Sequence, residues 1–247
     1  MDAEILKSFN AFSLQELDSN NLLMNTRFES KYLFHNSLLN TLLEKCKSCF
    51  NILSIDDIRL FDYQNDYFDT PAFQLYFDHH RQKSLRYKIR KRTYKNSGVS
   101  VVEIKKKTPD GISHKFRNIS PDLESSASLI QANSFIKITD LKPSIISSYK
   151  RITLMNKLNM EKVTIDISLN FEFLNQKIIY NNIAIAEVKS AQLHKGDFET
   201  IMKSLGVRPG GISKYCLGVI SLHPEIKHNN FKQVYKQILK LNSNDRY

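Results

Sequence analysis

Charged and apolar residues alternate along several short stretches of the chain, a spacing typical of strands with two different faces. In the sequence LRYKIRKRTY, the cations Arg86, Lys88, Arg90 and Arg92 occupy every second position. Successive side chains of a strand point to opposite faces, so all four cations would stand on one face. The same alternation predicts strands over residues 27–34, 63–70, 84–94, 99–107, 112–119, 143–156, 162–173 and 183–190.

Helical spacing of apolar residues separates several of these predicted strands. Ser13 and Glu16 form a capping box at the start of a short helix over residues 13–23. Further helices are predicted over residues 35–50, 71–80, 120–136 and 195–205, and the polar tail at 228–247 is helical at most. No segment of linker composition interrupts the chain. We therefore predict one domain over residues 1–247, with a core at about 12–220.

The alternation of charged and apolar residues recurs in strand after strand. Glu103, Lys105 and Lys107 share one face of their strand, as do Glu187 and Lys189, and the opposite faces are mostly apolar. An antiparallel sheet with one face in water gives such a pattern, but its wet face usually mixes Ser, Thr and Asn with the charges. Repeated Lys and Arg instead favour strands whose charged faces turn inward, and the helices between the strands indicate an α+β fold. We predict a closed antiparallel tunnel β-barrel of about eight strands, with a cationic lumen and a cover of helices.

The net charge of +11 is concentrated in one segment. Thirteen of the 36 Lys and Arg residues, but only two of the 25 acids, lie between Arg81 and Arg117, which accounts for the whole excess. A surplus this localised indicates an anion site rather than a generally basic protein. Arg binds phosphate oxygens with a fork of N–H donors and Lys acts as a point charge. A nucleoside triphosphate or a polyphosphate therefore suits the predicted lumen.

Several acids lie on the same predicted faces as the cations. Glu29, Glu103 and Glu187 are candidate ligands of Mg²⁺ or Mn²⁺, because these ions bind carboxylates together with phosphate oxygens. A lone Glu beside a Lys in a strand is also an ordinary ion pair, and the residues alone leave that alternative open. Asp166 is interpreted as the ion-pair partner of Lys162 rather than as a second metal ligand.

The chain lacks the signals of several other protein classes. No apolar run resembles a signal peptide or a membrane span, so we expect a cytoplasmic protein. No GxxxxGK loop is present, which argues against a P-loop fold. Cys46 and Cys49 have CxxC spacing without a second pair, which favours two ordinary thiols over a metal or redox site. His79 and His80 are interpreted as structural, since only one of two adjacent residues can face the lumen.

In their order along the chain, ten motifs resemble the catalytic domain of the vacuolar transporter chaperone (VTC) polyphosphate polymerases, within the triphosphate tunnel metalloenzymes. The resemblance runs over about residues 12–220, and each motif is weak alone: RFESKY (27–32), YFDT (67–70), His80, KIRKRTY (88–94), VEIKKK (102–107), HKFR (114–117), YKR (149–151), VTIDISL (163–169), AEVKS (186–190) and SKYCLG (213–218). It implies an antiparallel tunnel barrel that transfers the γ-phosphate of ATP onto polyphosphate. The chain is similar to a free-standing, bacterial-type member without phosphate-sensing or membrane domains.

The resemblance also implies roles for individual residues. The expected catalytic residues are Arg90, Arg92, Arg151, Lys31 and Lys214. The expected substrate-binding residues are Lys88, Lys105, Lys115 and Lys189, and Glu187 is the expected ligand of Mn²⁺ or Mg²⁺. Two positions depart from the family: Lys162 replaces an Arg of many relatives, and Glu29 stands alone where the wider superfamily has the two glutamates of ExExK. The single acid speaks against a two-metal hydrolase.

Two other functions fit the same residues. The tunnel could hydrolyse triphosphate or polyphosphate with water as the acceptor, or it could bind polyphosphate without turnover. Binding of single-stranded nucleic acid is disfavoured, because Tyr87 points away from the cationic face and only Tyr94 shares it. The expected partners are therefore ATP and inorganic polyphosphate, with no nucleic acid and no membrane span, and the oligomeric state is left open.

Overall fold

The computed structural model of the chain describes residues 3–17, 28–190 and 196–243. The strands in these ranges are β1 (Ala11–Phe12), β2 (Phe28–His35), β3 (Phe50–Leu53), β4 (Phe61–Asp69), β5 (Arg86–Tyr94), β6 (Ser100–Lys107), β7 (Ser113–Ile119), β8 (Lys142–Asn156), β9 (Lys162–Phe173), β10 (Gln176–Tyr180) and β11 (Ile183–Ser190). The α-helices are α1 (Ala3–Lys7), α2 (Leu39–Cys46), α3 (Gln74–His80), α4 (Ala127–Asn133), α5 (Asp197–Ser204), α6 (Lys214–Leu222) and α7 (Lys232–Asn242).

The predicted elements are largely confirmed. Each of the eight predicted strands is present, and their ends shift by at most two residues. Residues 14–17 are helical, and Ser13 and Glu16 make the capping box, with the Ser13 amide donating to Glu16 Oε2 at 2.7 Å. Arg27 and the predicted helical residues 18–23, 195 and 244–247 lie outside the described residues. The short strands β1, β3 and β10 were not predicted.

The strands form one sheet in the order β2-β11-β9-β8-β4-β5-β6-β7, with β10 on β9, β3 on β8, and β1 parallel to β3. The prediction of a closed barrel of eight strands was wrong, because the described part of the chain has eleven strands and no backbone pairing between β2 and β7. The sheet instead curls until its two ends face each other. Lys105 Nζ of β6 lies 3.7 Å from Glu29 Oε2 of β2. Charged side chains, rather than ladder hydrogen bonds, therefore span the gap.

One face of the sheet carries Lys31, Arg90 and Glu187 and is called the inner face below. The opposite, outer face is mostly apolar and lies under helices, as predicted. Helices α2 and α5 cover β2, β8, β9 and β11, where Leu42 and Phe198 are fully buried. Helices α3 and α4 cover β5 and β6 in a second apolar cluster. The alternation of charged and apolar residues thus separates an outer core from a charged inner face.

The inner face is not charged throughout, which the sequence analysis did not anticipate. Helix α6 packs against an apolar half of this face, formed by residues of β2, β4, β8, β9 and β11 that include Tyr67, Ile145 and Phe171. Its sequence KYCLGVISL is apolar all round after Lys214, and residues 215–222 are all buried. A helix without a polar face is stable only when it is enclosed. The curled sheet provides that enclosure.

None of the helices described combines the length and apolarity needed to cross a bilayer. In the described part of the tail, α7 is helical, as predicted, and buries Ile238 completely. Asn230, just before α7, donates its side-chain amide to the carbonyl of His80 at 2.8 Å. The single domain over residues 1–247 and the cytoplasmic location stay predictions.

Gly218 allows α6 to approach the sheet, and replacing it should destabilise the fold. A Cβ at this position would lie 2.6 Å from Phe171 Cδ1 and would also collide with Ile145. Alanine normally stabilises a helix relative to glycine by about 1 kcal/mol. We expect Gly218→Ala instead to lower the free energy of unfolding by about 1–3 kcal/mol, the usual cost of overpacking.

Urea unfolding followed by circular dichroism measures this effect. Gly210→Ala is the control, because a Cβ there meets no atom within 4 Å. Equal unfolding midpoints for Gly218→Ala and the unchanged protein would contradict the packing of α6 on the inner face.

Candidate functional site

Strands β5, β6 and β7 place their cations in rows across the inner face. Lys88 lies opposite Lys105, which lies opposite Lys115, so one row consists of three lysines. In the next row, Glu103 lies between Arg90 and Arg117. Like charges directly opposite each other in a sheet are destabilising. The rows therefore require anions, from the protein or from a ligand.

Glu103 is the anion that holds the β5–β7 cluster together. Its side chain is only 3% exposed, and Oε2 accepts from Arg90 Nε at 2.7 Å and Nη2 at 2.6 Å. Arg92 lies 3.9 Å away, and Lys115 forms an ion pair with the other oxygen. Burial opposes ionisation, but the neighbouring Arg90, Arg92 and Lys115 hold the pKa of Glu103 well below its usual range. Glu103 is thus a buried counter-ion, and its expectation as a metal ligand is not supported.

Asp166 of β9 is likewise the buried counter-ion of two further cations. Arg151 of β8 donates two N–H groups to its carboxylate, at 2.6 and 2.8 Å, and Lys214 Nζ lies 2.5 Å from Oδ2. Burial opposes ionisation here too, yet Arg151 and Lys214 lower the pKa of Asp166. The sequence analysis named Lys162 as the partner of Asp166, whereas Arg151 and Lys214 are the cations that contact it here. Lys214 is the first residue of α6, and its contact with Asp166 depends on how that helix packs against the sheet.

Glu187 and Glu29 form a third, more open group on the adjacent strands β11 and β2. Lys31 contacts both carboxylates, lying 3.4 Å from Glu187 Oε2, while Lys189 pairs with Glu187. Burial disfavours the charge of Glu187, but Lys189 and Lys31 lower its pKa well below its usual range. The two side chains are 25% and 29% exposed, against 3% for Glu103 and 2% for Asp166.

These two glutamates are the carboxylates that fit a divalent cation. They already converge on one positive group, Lys31 Nζ, and their oxygens are accessible from the inner face. Mg²⁺ and Mn²⁺ commonly take one or two carboxylates and complete their coordination with water and substrate phosphate. Among the described residues, no three His, Cys, Asp or Glu side chains form a metal-binding group. Glu187 and Glu29 would therefore hold a cation together with a ligand.

Sequence analysis missed the contribution of β4. Asn65 accepts from Arg92 Nε at 3.0 Å, and the Tyr67 hydroxyl lies 3.5 Å from Arg90 Nη1. Tyr63 lies on the same face and contacts Tyr149 and Tyr94. The signal was present in the sequence FDYQNDYFD, where Tyr63, Asn65 and Tyr67 alternate within a predicted strand. The argument that Tyr94 is the one aromatic ring beside the cations was therefore wrong.

In the part of the chain that the structure describes, Lys88 is a largely enclosed cation of the inner face that has no carboxylate partner. Burial lowers the pKa of Lys88 to about 8, and the nearby Lys105, Arg90 and Lys31 act in the same direction while Cys216 opposes them. An ammonium without a counter-ion is stabilised by an anionic ligand.

The two histidines have structural contacts, in agreement with the sequence analysis. His79 Nε2 lies 3.2 Å from the carbonyl of Tyr87, and burial together with Lys88 and Arg86 lowers its pKa to about 2. His80 Nε2 accepts from the Asn230 amide at 3.3 Å. Neither of these hydrogen bonds involves a cation of the inner face.

Comparison with known proteins gives one family match. A family model described as the VTC domain matches residues 26–223. No curated protein matches the chain. Thus the family, rather than an individual relative, is the comparison that bears on this protein.

Solved structures show only distant similarity. A candidate adenylate cyclase of Bacillus halodurans has 16% identity and a TM-score of 0.49 over 79% of this chain and 95% of its own. The PH1819 protein of Pyrococcus horikoshii has 16% identity and a TM-score of 0.48, with 81% and 99% covered. HpAC1 of Hippeastrum, a candidate adenylyl cyclase described as having a dominant triphosphatase activity, has 14% identity and a TM-score of 0.48, with 78% and 95% covered. These similarities are too distant to assign an activity.

Binding of inorganic tripolyphosphate should be coupled to proton uptake at pH about 8. Part of the Lys88 population is neutral at that pH in the free protein, and a bound polyanion would favour the ammonium form. Affinity should therefore fall as the pH rises through about 8. Titration calorimetry in two buffers of different ionisation enthalpy measures the protons taken up.

Lys88→Met should reduce this uptake, and Lys115, whose pKa burial also lowers to about 8, would account for part of the remainder. Lys91→Met is the matched control, because Lys91 pairs with Asp66 at 3.0 Å on the outer face of β5. Identical proton uptake in Lys88→Met and Lys91→Met would show that Lys88 does not face the ligand.

Proposed function

The chain belongs to the VTC domain family, and from that premise we propose that it is a polyphosphate polymerase. The enzyme would transfer the γ-phosphate of ATP onto the end of an inorganic polyphosphate chain. The reaction would take place on the charged half of the inner face, with Mn²⁺ or Mg²⁺ as the cofactor.

The observation that carries this proposal is the charge balance of the inner face. Within residues 28–190 and 196–243, nine expected phosphate-binding cations contact or neighbour four carboxylates: Lys31, Lys88, Arg90, Arg92, Lys105, Lys115, Arg151, Lys189 and Lys214, against Glu29, Glu103, Asp166 and Glu187. The positive surplus persists after every ion pair is counted. A polyanion with several phosphate groups matches it, whereas a single carboxylate or phosphate does not.

The donor triphosphate would lie beside Arg90 and Arg92, whose guanidinium groups are already oriented by Glu103 and Asn65. Glu187, with Glu29, would hold the divalent cation. When bound, that ion neutralises charge on the phosphate oxygens. Lys31 lies between the two glutamates and would contact the same phosphates.

Phosphoryl transfer needs mainly positioning and charge stabilisation from the protein. A terminal phosphate oxygen of the acceptor chain would form the new bond to the γ-phosphorus. The bond to the bridging oxygen of ATP would break, and ADP would leave with the electron pair. Arg90, Arg92 and Arg151 would stabilise the charge on the transferring group, and Lys214 would hold the acceptor.

An anionic phosphate acceptor requires no general base, and the buried carboxylates are poorly suited to be one. Neighbouring cations hold Glu103, Asp166 and Glu187 ionised with lowered pKa values, whereas an efficient base has a pKa near the working pH.

Hydrolysis is the second candidate function, because the same cations and carboxylates would bind the triphosphate with water as the acceptor. The attacking water would pass its proton to a phosphate oxygen of the substrate. The water oxygen would then bond to the terminal phosphorus, and the leaving phosphate or ADP would carry away the electrons of the broken bond. Free phosphate would be released and no chain would grow.

Incubation of the purified protein with ATP and Mn²⁺ should produce polyphosphate chains and ADP. Chains are resolved on a stained gel while free phosphate is assayed in parallel. Glu187→Gln should lower the rate by at least about 100-fold, since a catalytic metal supplies several kcal/mol of charge stabilisation. Higher Mn²⁺ concentrations should partly restore it.

Glu172→Gln is the control, because Glu172 pairs with Lys177 and is 39% exposed. Release of free phosphate without chain growth would contradict the polymerase and support the hydrolase. Absence of both products, together with tight binding of polyphosphate, would support a binding module without turnover.

Arg90→Ala should lower kcat by about 10³-fold or more, as removal of an arginine from a phosphoryl-transfer site does. Lys91→Ala removes the next cation of the same strand, on the outer face, and should leave kcat unchanged. Steady-state rates with ATP and polyphosphate make the comparison. Unchanged turnover in Arg90→Ala would show that Arg90 does not stabilise the transferring phosphoryl group.

A further inference from the structure

Two tyrosines at the centre of the inner face have no part in the proposed reaction. Tyr63 of β4 and Tyr149 of β8 lie opposite each other in register, and their rings stack with centroids 5.5 Å apart and planes 3° from parallel. Tyr149 is only 3% exposed. Tyr149 is thus buried and Tyr63 is half-buried, and the face that each ring turns to the other is not open to a ligand ring.

Three cations from three different elements lie over these two rings. Arg151 Cζ of β8 is 5.0 Å from the Tyr63 centroid and 5.3 Å from that of Tyr149. Lys214 Nζ, from α6, is 4.8 Å from the Tyr149 centroid. Arg92 Cζ, from β5, is 5.4 Å from the Tyr63 centroid. All of these distances are within the range of cation–π attraction.

Aromatic rings can hold neighbouring cations together without cancelling their charge, which carboxylates cannot do. Cations that gather to bind one phosphate repel each other, and a carboxylate that holds them also cancels their charge. A ring attracts a cation through its quadrupole and has no net charge. Asp166 already forms ion pairs with Arg151 and Lys214. The ion pair of Arg92 with Glu103 is longer, with 3.9 Å between nitrogen and oxygen. The rings supply attraction and leave the positive charge available.

We propose that the stacked pair Tyr63–Tyr149 is a positioning element that gathers Arg92, Arg151 and Lys214 into one phosphate-binding cluster. The pair acts through the three cations and contacts no reacting atom. The inference rests on the proposed function for its ligand, a phosphate group of a polyphosphate chain. Its test therefore uses ligand binding and spectroscopy without turnover.

The Tyr149 phenol reports on this cluster directly. Its surroundings are Tyr63, Arg92, Asp166 and Lys214, each on a different element, together with Arg151 of its own strand. Burial and Asp166 would raise the pKa of Tyr149, but Arg151, Arg92 and Lys214 lower it to about 8. An anion bound to the three cations would weaken that effect. The phenol should then titrate at a higher pH.

Variants at position 149 separate the ring from the hydroxyl. Tyr149→Leu should weaken binding of inorganic tripolyphosphate by on the order of tenfold, because two cation–π contacts are lost. Tyr149→Phe keeps the ring and should bind within about threefold of the unchanged protein. Tyr94→Leu is the matched control, since Tyr94 contacts Tyr63 edge-on and is assigned no cation of the cluster.

Two readouts distinguish positioning from general stability. The ring current of Tyr149 should shift the Lys214 side-chain resonance in the unchanged protein and in Tyr149→Phe, but not in Tyr149→Leu. Tyrosinate absorbance should show a phenol titrating near pH 8 that is absent in Tyr149→Phe and moves to higher pH with tripolyphosphate. If Tyr149→Leu fails to fold, Tyr63→Leu against Tyr63→Phe gives the corresponding comparison of affinity through Arg92 and Arg151.

Equal tripolyphosphate affinity in Tyr149→Leu and Tyr149→Phe would overturn the proposal, as would a phenol midpoint that tripolyphosphate does not move. A protein that passes these tests but forms no polyphosphate would contradict the polymerase and retain the positioning pair. Failure of the inference and failure of the proposed function are thus separate results.

Discussion

Repulsion between cations that share the inner face is the constraint on which the rest of the structure depends. Two unit charges 4 Å apart interact by about 4 kcal/mol at an effective dielectric constant of 20. Glu103 relieves this repulsion for Arg90, Arg92 and Lys115, and Asp166 relieves it for another pair. Both acids are buried, so removing either would leave uncompensated cations, typically at a cost of about 3–5 kcal/mol. The cations are thereby fixed before a ligand arrives, which is the arrangement that stabilises developing charge.

The apolar half of the inner face positions a cation of the charged half. Helix α6 packs inside the curled sheet and places Lys214 beside Asp166. The start of this helix is secured by Tyr215, whose hydroxyl donates to the buried carboxylate of Asp69. Asp69 also accepts from the amides of Leu75 and Tyr76, at 2.8 and 2.9 Å, at the start of α3. One buried acid thus links β4, α3 and α6. The packing of an apolar helix therefore decides where Lys214 lies on the inner face.

Local periodicity predicted which face each residue of a strand takes, because successive side chains alternate whatever the strand pairs with. For this reason Arg90 and Glu187 were placed correctly. Periodicity carries no information on long-range pairing, so the partner of Asp166 and the open join between β2 and β7 were not found. Strands of two to five residues, such as β1, are too short to show a period. The burial of α6 was available from its sequence, since every residue from 215 to 218 is apolar or small.

Anomalous diffraction from Mn²⁺ bound with a non-hydrolysable ATP analogue tests the central claim most directly. The claim is that surplus cations and two accessible glutamates of the inner face together bind a metal–triphosphate. The account predicts a manganese peak in contact with the carboxylates of Glu187 and Glu29, with the triphosphate against Arg90 and Arg92. Manganese bound away from both glutamates, or a triphosphate on the outer surface of the sheet, would contradict it.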